Sequence, residues 1–431
     1  MSKLAKNVQV SIRFQRSIRI DTDLSDEAIV NSFVCPQSSV EILLTMALGR
    51  KNGNEAAFTW TGPFGSGKSS LVVILNALLG DNKRLRDSAS KIIGQKNADK
   101  ILESFNVTEK KKWKFVPIVG SRVNICQSLI TALKTRFEFK SKITEHNISE
   151  TLTDLSKNEE CGIFIVFDEM GKFLEGAAGE KTDIYIFQQL AELASRSKGK
   201  IIILGILHQS FAEYAKRLAR DIRDEWAKIQ GRFVDLPLNV AGEELIDLIG
   251  TAIKSDKKPV KTTDFAKITA NEISFWKHIH TDNLGKSLTN CWPLHPIVAS
   301  LLGPISRRRF GQNQRSVFAF LNSSEPYGFQ DFLNKTELST ENVYSPTLLW
   351  DYLKANLEPS IMASPDGHKW SLALDALFRS EAISNDKDTL PVLKCIALMD
   401  IFQAPLRRRL RGAARAPRRR SPSSRWWCRS W

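Results

Sequence analysis

No run of eighteen apolar residues occurs in this chain of 431 residues, and its opening, MSKLAKNVQVSIRFQRS, lacks the apolar centre of an export signal. Nothing there marks it for the membrane or for secretion, so a cytoplasmic location is expected. Cysteine is sparse and scattered: Cys35, Cys126, Cys161, Cys291, Cys395 and Cys428 form no C-x-x-C pair and have no histidine at ligand spacing. Reduced thiols are expected rather than a disulfide framework or a metal cage. The six histidines are equally dispersed, and neither G-x-S-x-G nor G-x-G-x-x-G is present. Metalloenzyme, hydrolase-triad and dinucleotide redox readings therefore find no support. Internal repeats are missing too. What is present is 42% apolar residues, enough for a sizeable core in two or three domains.

The net charge of +15 is unevenly spread. Residues 404–431 hold ten arginines, no lysine and no acid, so residues 1–403 carry 15 − 10 = +5. That is a weak field for a body of this size. Two readings of the arginine-rich tail stand side by side: a disordered basic segment that grips phosphate, or an out-of-frame translation that ends a longer protein. The second is favoured, because the tail has no periodicity and the composition changes abruptly after LPVLKCIALMDIFQ.

Along the body, VQVSIRFQRSIRI (8–20) alternates as a strand does, and PQSSVEILLTMALGR from Pro36 has helical spacing. AAFTW predicts a short buried strand, SLVVILNALLG a helix ending at glycine, and 81–112 a polar insertion. FVPIVG, CGIFIVFDE and KIIILGIL read as buried parallel strands separated by helices. SFAEYAKRLARDIRDEWAKIQ predicts a further helix and GRFVDLPL a last strand. Alternation of this kind predicts an α/β fold with a parallel sheet covered by helices up to a boundary near Asn239. Beyond it, short amphipathic helices dominate.

The octet GPFGSGKS, residues 62–69, lies between a strand and a helix and fits G-x-x-x-x-G-K-[ST]. Glycines at Gly62, Gly65 and Gly67 let backbone N–H groups converge on phosphate oxygens, with Pro63, Phe64, Ser66 and Ser70 completing the loop and first turn. Lys68 would reach the β- and γ-phosphates of ATP, and the Ser69 hydroxyl would sit on Mg²⁺. A second feature, IFIVFDEM, ends an apolar strand in two acids. Asp168 would hold the Mg²⁺ largely through water, and Glu169 would polarise the attacking water as general base.

These elements, in this order, resemble the AAA+ ATPases, in the branch holding replication initiators and origin-recognition proteins, and the related STAND ATPases. The resemblance covers about residues 33–321. It implies a P-loop core at 36–239 after a lead-in at 1–35, a helical lid at 240–340, and a partial helical or winged-helix module at 341–403 before the tail at 404–431. It also implies a γ-phosphate sensor after the strand KIIILGIL, with His208, Gln209 and Ser210 all candidates. Arg232 takes the place of an arginine finger reaching into a neighbouring subunit, so a homo-oligomer is implied. Arg220 and Arg223 are weaker candidates that a solvated helix face explains. Arg315 matches the lid arginine that touches the γ-phosphate, and Arg307 to Arg309 form a basic run that is either solvated surface or a DNA contact. Val34 and Pro36 fall where the family walls adenine. Two functions follow as expectations: an ATP-hydrolysing switch of a prokaryotic defence or mobile-element system, with a partner effector protein, or an ATP-dependent DNA-binding initiator or loader. A catalytically dead fragment is the third reading.

Overall fold

The computed structural model describes residues 2–11, 14, 18–53, 55–63, 65–121, 124–139, 141–158, 162–180, 185–209, 226–238, 240, 242–277, 281–308, 317–383, 386 and 388–402. The chain divides into two compact units, residues 17–240 and residues 1–16 with 241–431.

In the first unit the apolar runs become five parallel strands: β2 (Ala57–Thr61), β3 (Trp113–Val119), β4 (Gly162–Asp168), β5 (Ile201–Leu207) and β6 (Val234–Pro237). Their order across the sheet is β3-β4-β5-β2-β6. The register runs Phe115↔Phe164↔Ile202, and Phe58 lies between Leu204 and Val234. β5 is buried at every residue and β4 at all but its first, which is why their sequences are continuously apolar instead of alternating. β6, at an edge, alternates in exposure and tolerates Pro237. This is the α/β architecture expected from the strand–helix alternation, a parallel sheet flanked by helices.

The helices of this unit are α1 (Ile20–Asp23), α2 (Glu27–Ser32), α3 (Gln37–Gly53), α4 (Lys68–Leu79), α5 (Lys83–Ile93), α6 (Gln95–Ser104), α7 (Ile125–Arg136), α8 (Ile148–Asn158), α9 (Met170–Glu180) and α10 (Tyr185–Arg196). The central helix α4 buries Leu71 to Leu75 and Ala77 to Leu79. At the far end of the sheet Phe164 stacks on Phe115 at 4.4 Å, with Trp113 against it edge-on. Arg50, from α3, lies 5.1 Å from the Phe105 ring and 5.3 Å from Trp113. It donates to the Gly199 and Ser104 carbonyls, so one guanidinium ties α3 to α6 and to the approach to β5.

One local expectation is corrected, and another gains detail. Among the described residues of the alternating stretch 8–20, only β1 (Gln9–Val10) is strand, pairing with β7 (Ile253–Lys254), and the chain is helical from Ile20. The polar insertion holds α5 and α6, capped at Asn82, whose side chain accepts from the Leu85 N–H. Leu85, Ala89 and Ile93 recur at helical spacing and are buried.

In the second unit, β1 and β7 sit with helices that include Gly242–Ala252, Pro296–Ser306, Pro346–Met362, Gly367–Ile383 and Thr389–Ile401. Leu4 donates its N–H to the Thr336 carbonyl, so the chain's first residues belong to this unit. Its core centres on Trp350 stacked on Trp370 at 4.3 Å, and on Tyr344 amid Phe320, Phe329 and Phe332. Among the described residues no helix is long and apolar enough to cross a membrane.

Candidate functional site

The site assembles at the C-terminal ends of β2, β4 and β5. Where β2 ends, the Gly62 N–H donates to the Leu207 carbonyl (3.1 Å) and the Leu238 N–H donates to Thr61 (2.7 Å), anchoring the loop to both neighbouring strands. The Ser66 N–H closes a turn onto Pro63. Gly65 and Gly67 then take φ of 74° and 84°, in the left-handed region that a side chain disfavours. Gly67 caps α4, its carbonyl accepting from the Leu71 N–H at 2.8 Å. The N–H groups of Lys68, Ser69 and Ser70 are among those that helix geometry leaves without an intrahelical carbonyl, at the positive end of the helix dipole.

Lys68 is 4% exposed and folds back over the loop. Its Nζ donates to the carbonyls of Gly62 (2.6 Å) and Pro63 (2.8 Å) and to Ser66 Oγ (3.3 Å). Burial lowers its pKa to about 8, against an opposing pull from Asp168. Asp168, the last residue of β4, is likewise buried, and burial raises its pKa despite its hydrogen bonds. Ser69 Oγ donates to Asp168 Oδ2 at 2.9 Å, joining positions 99 residues apart, and the Glu169 N–H donates to Oδ1 at 2.9 Å.

Glu169 itself sits at φ 52°, strained for a residue with a side chain. Gly120, just past β3, holds that conformation. Its N–H donates to the Asp168 carbonyl at 2.7 Å, and a Cβ added there would fall 2.2 Å from the Glu169 carbonyl oxygen. The Glu169 carboxylate is ion-paired with Lys172, in the first turn of α9. His208 and Gln209 follow β5 directly and are half-buried. The His208 pKa is lowered to about 3, by burial first and then by Lys68 and Lys172, so the imidazole is neutral at physiological pH. Phe33 lies against the same loop, its ring 3.9 Å from where a Gly67 Cβ would stand, with Val34 and Pro36 half-buried beside it.

Thus Gly62, Pro63, Gly65, Ser66, Gly67, Lys68, Ser69, Ser70, Asp168, Glu169, His208 and Gln209 come together. Arg232 does not join them. It lies two residues before Val234, which pairs with Phe58, four residues before Gly62, so at least about 13 Å of strand rise separates it from the loop. There it pairs with Glu192 at 3.1 Å, and Arg196 approaches the same carboxylate at 3.9 Å. Phe64, Ser210, Arg220, Arg223, Arg309 and Arg315 lie outside the described residues, as does the tail from 403. In the second unit Arg308 pairs with buried Asp366 at 3.3 Å, so that part of the basic run is an internal tie. Sequence reasoning missed Lys172, Gly120 and Phe33. Only Lys172 carried a readable signal, its i,i+3 spacing from Glu169 on a helix start.

No family model matches the chain, and no curated protein matches it. Solved structures do. Cdc6p from Pyrobaculum aerophilum is 13% identical, with a TM-score of 0.40, covering 93% of this chain and 87% of that one. The Aeropyrum pernix ORC2 protein, solved as ADPNP–ADP complexes, is 13% identical with a TM-score of 0.35, covering 90% and 99%. The Aeropyrum pernix ORC1 protein in complex with DNA is 11% identical with a TM-score of 0.31, covering 88% and 86%.

Proposed function

We propose that this chain binds ATP with Mg²⁺ at the 62–70 loop and hydrolyses it, as an AAA+-type ATPase. The observation that carries this is the Ser69–Asp168 hydrogen bond beside buried Lys68. A hydroxyl and an ammonium from the first turn of α4 meet a carboxylate from the end of β4, 99 residues away, where helix-start N–H groups lie. Asp168 and Lys68 each bear a burial cost that ligands of opposite charge would relieve, so the donor set fits a divalent cation beside a polyphosphate. When bound, Mg²⁺ supplies charge neutralisation at the phosphate oxygens.

The chain's own residues then divide the work. Lys68 would turn from the loop carbonyls to the phosphate oxygens, while Ser69 and Asp168 would hold the cation. Glu169 takes a proton from the water that attacks the γ-phosphorus. The bond from that phosphorus to the bridging oxygen breaks, leaving ADP and phosphate. Neutral His208, or Gln209, orients the transferred group by hydrogen bonding. Arg232, a sheet's length away, acts only on the nucleotide of a neighbouring subunit, so activity requires assembly. Of the two settings weighed from the sequence, the DNA-binding initiator or loader is in keeping with the initiator structures named above. The defence or mobile-element setting finds no support among them.

The test is ATP turnover across protein concentrations, with and without duplex DNA, alongside Lys68→Ala, Glu169→Gln and Arg232→Ala. Specific activity should rise with concentration and fall at least tenfold in all three variants, with Glu169→Gln still binding ATP. Arg232→Ala turning over as fast as the parent would remove the finger.

A further inference from the structure

The Lys172–Glu169 ion pair has no part in the ATP chemistry described so far, and it has an unusual address. Lys172 stands in the first turn of α9, where the helix dipole disfavours a cation, so helix stability does not account for it. Its side chain is half exposed, and the surface pair it makes is of a kind that contributes little to folding. It nevertheless occupies the proposed general base, whose carboxylate must be free to accept a proton. The pair lies between the ends of β4 and β5. Phe167 of β4 pairs with Gly205 of β5, which sets Glu169 and His208 at adjacent strand ends. Lys172, with Lys68, helps to lower the His208 pKa, as a nearby cation does.

We propose that Lys172 is a second phosphate-contacting lysine that reads the presence of a γ-phosphate. Without nucleotide or with ADP, it holds Glu169 in an ion pair. When ATP occupies the site, the γ-phosphate oxygens, with more negative charge than one carboxylate, draw the ammonium away and free Glu169 to face the water. No bond is made or broken in this exchange; one cation changes anionic partners. The base is thereby held back until the substrate that needs it is in place. This rests on the ATP-site reading of the same loop.

The experiment compares ATP and ADP affinity, with Mg²⁺ and in the absence of turnover, by titrating fluorescent nucleotide analogues into the full chain. The parent, Lys172→Met, Lys172→Arg and Lys68→Ala are measured together. The proposal expects Lys172→Met to lose about tenfold in ATP affinity, the worth of one charge-assisted hydrogen bond, with ADP affinity unchanged. Lys172→Arg should recover most of that ATP preference. An unchanged ATP-to-ADP ratio in Lys172→Met overturns the proposal, and so does an equal loss of both nucleotides. If Lys68→Ala binds both nucleotides like the parent, the nucleotide site itself fails, and the inference falls with it. If Lys68→Ala loses binding while the Lys172→Met ratio holds, the role given to Lys172 alone is refuted.

Discussion

Replacing Lys68 by methionine should remove a gain in stability that the nucleotide-free wild-type chain makes as pH rises, because the wild-type lysine is buried at a cost. Its pKa falls from the ordinary 10.5 to about 8 with burial as the leading cause. Between those values the unfolded chain holds the proton and the folded chain does not, so wild-type stability rises with pH across that window and the penalty is fully present below 8. The full shift corresponds to roughly 3 kcal/mol. Between pH 7 and 9.5 the two titration curves account for about 2 kcal/mol of it. The assay is urea unfolding of wild type and Lys68→Met at steps from pH 7 to 9.5, without nucleotide. The variant also loses the bonds to Gly62 and Pro63, but those set only a constant offset. Wild type should therefore gain about 2 kcal/mol on the variant over the range. A difference that stays flat with pH would mean that the ammonium is not desolvated in the folded loop, and the charge argument for a phosphate site would lose its basis.

Other outcomes follow from the same geometry. Gly120→Ala places a methyl against the Glu169 carbonyl; turnover should fall at least tenfold while ATP affinity changes less than twofold, as measured by steady-state kinetics and nucleotide titration. His208, with a folded pKa of about 3 against an ordinary 6.5, makes the folded chain lose stability as pH falls below 6.5. His208→Gln should lose less on acidification from pH 6.5 to 4.5 in thermal melts, and a parallel loss would contradict the burial. Phe164→Ala, removing a ring fully buried against Phe115 and Trp113, should cost about 3–5 kcal/mol in urea unfolding.

The parts of the fold legible in the sequence were those in which local pattern and tertiary demand coincide. β4 and β5 are buried on both faces and so are written in unbroken apolar residues. The loop at 62–69 requires glycine at left-handed positions, and Asp168 ends its strand at the sheet edge where the site lies. The length of β1 was not legible, because strand length depends on the partner, and β7 offers only Ile253 and Lys254. The charged residues of 81–112 hid a helical stripe of Leu85, Ala89 and Ile93 that was present in the spacing. Gly120 and Phe33 reach the site only through the crossover order of the sheet and the packing of α2 and α3, which no local stretch encodes. Lys172 was visible at i,i+3 but had no role to assign until its ion pair with Glu169 was placed beside the strand ends.

The central claim, that the loop at 62–70 with Asp168 is a Mg²⁺-dependent ATP site, is tested most directly by calorimetric titration of ATP into wild type, Lys68→Ala and Asp168→Asn, with Mg²⁺ and with chelator. The account predicts one site per chain in wild type, affinity reduced at least tenfold by chelation, and that dependence on Mg²⁺ lost in Asp168→Asn. Binding that is indifferent to Lys68, or no heat with any nucleotide, would contradict it.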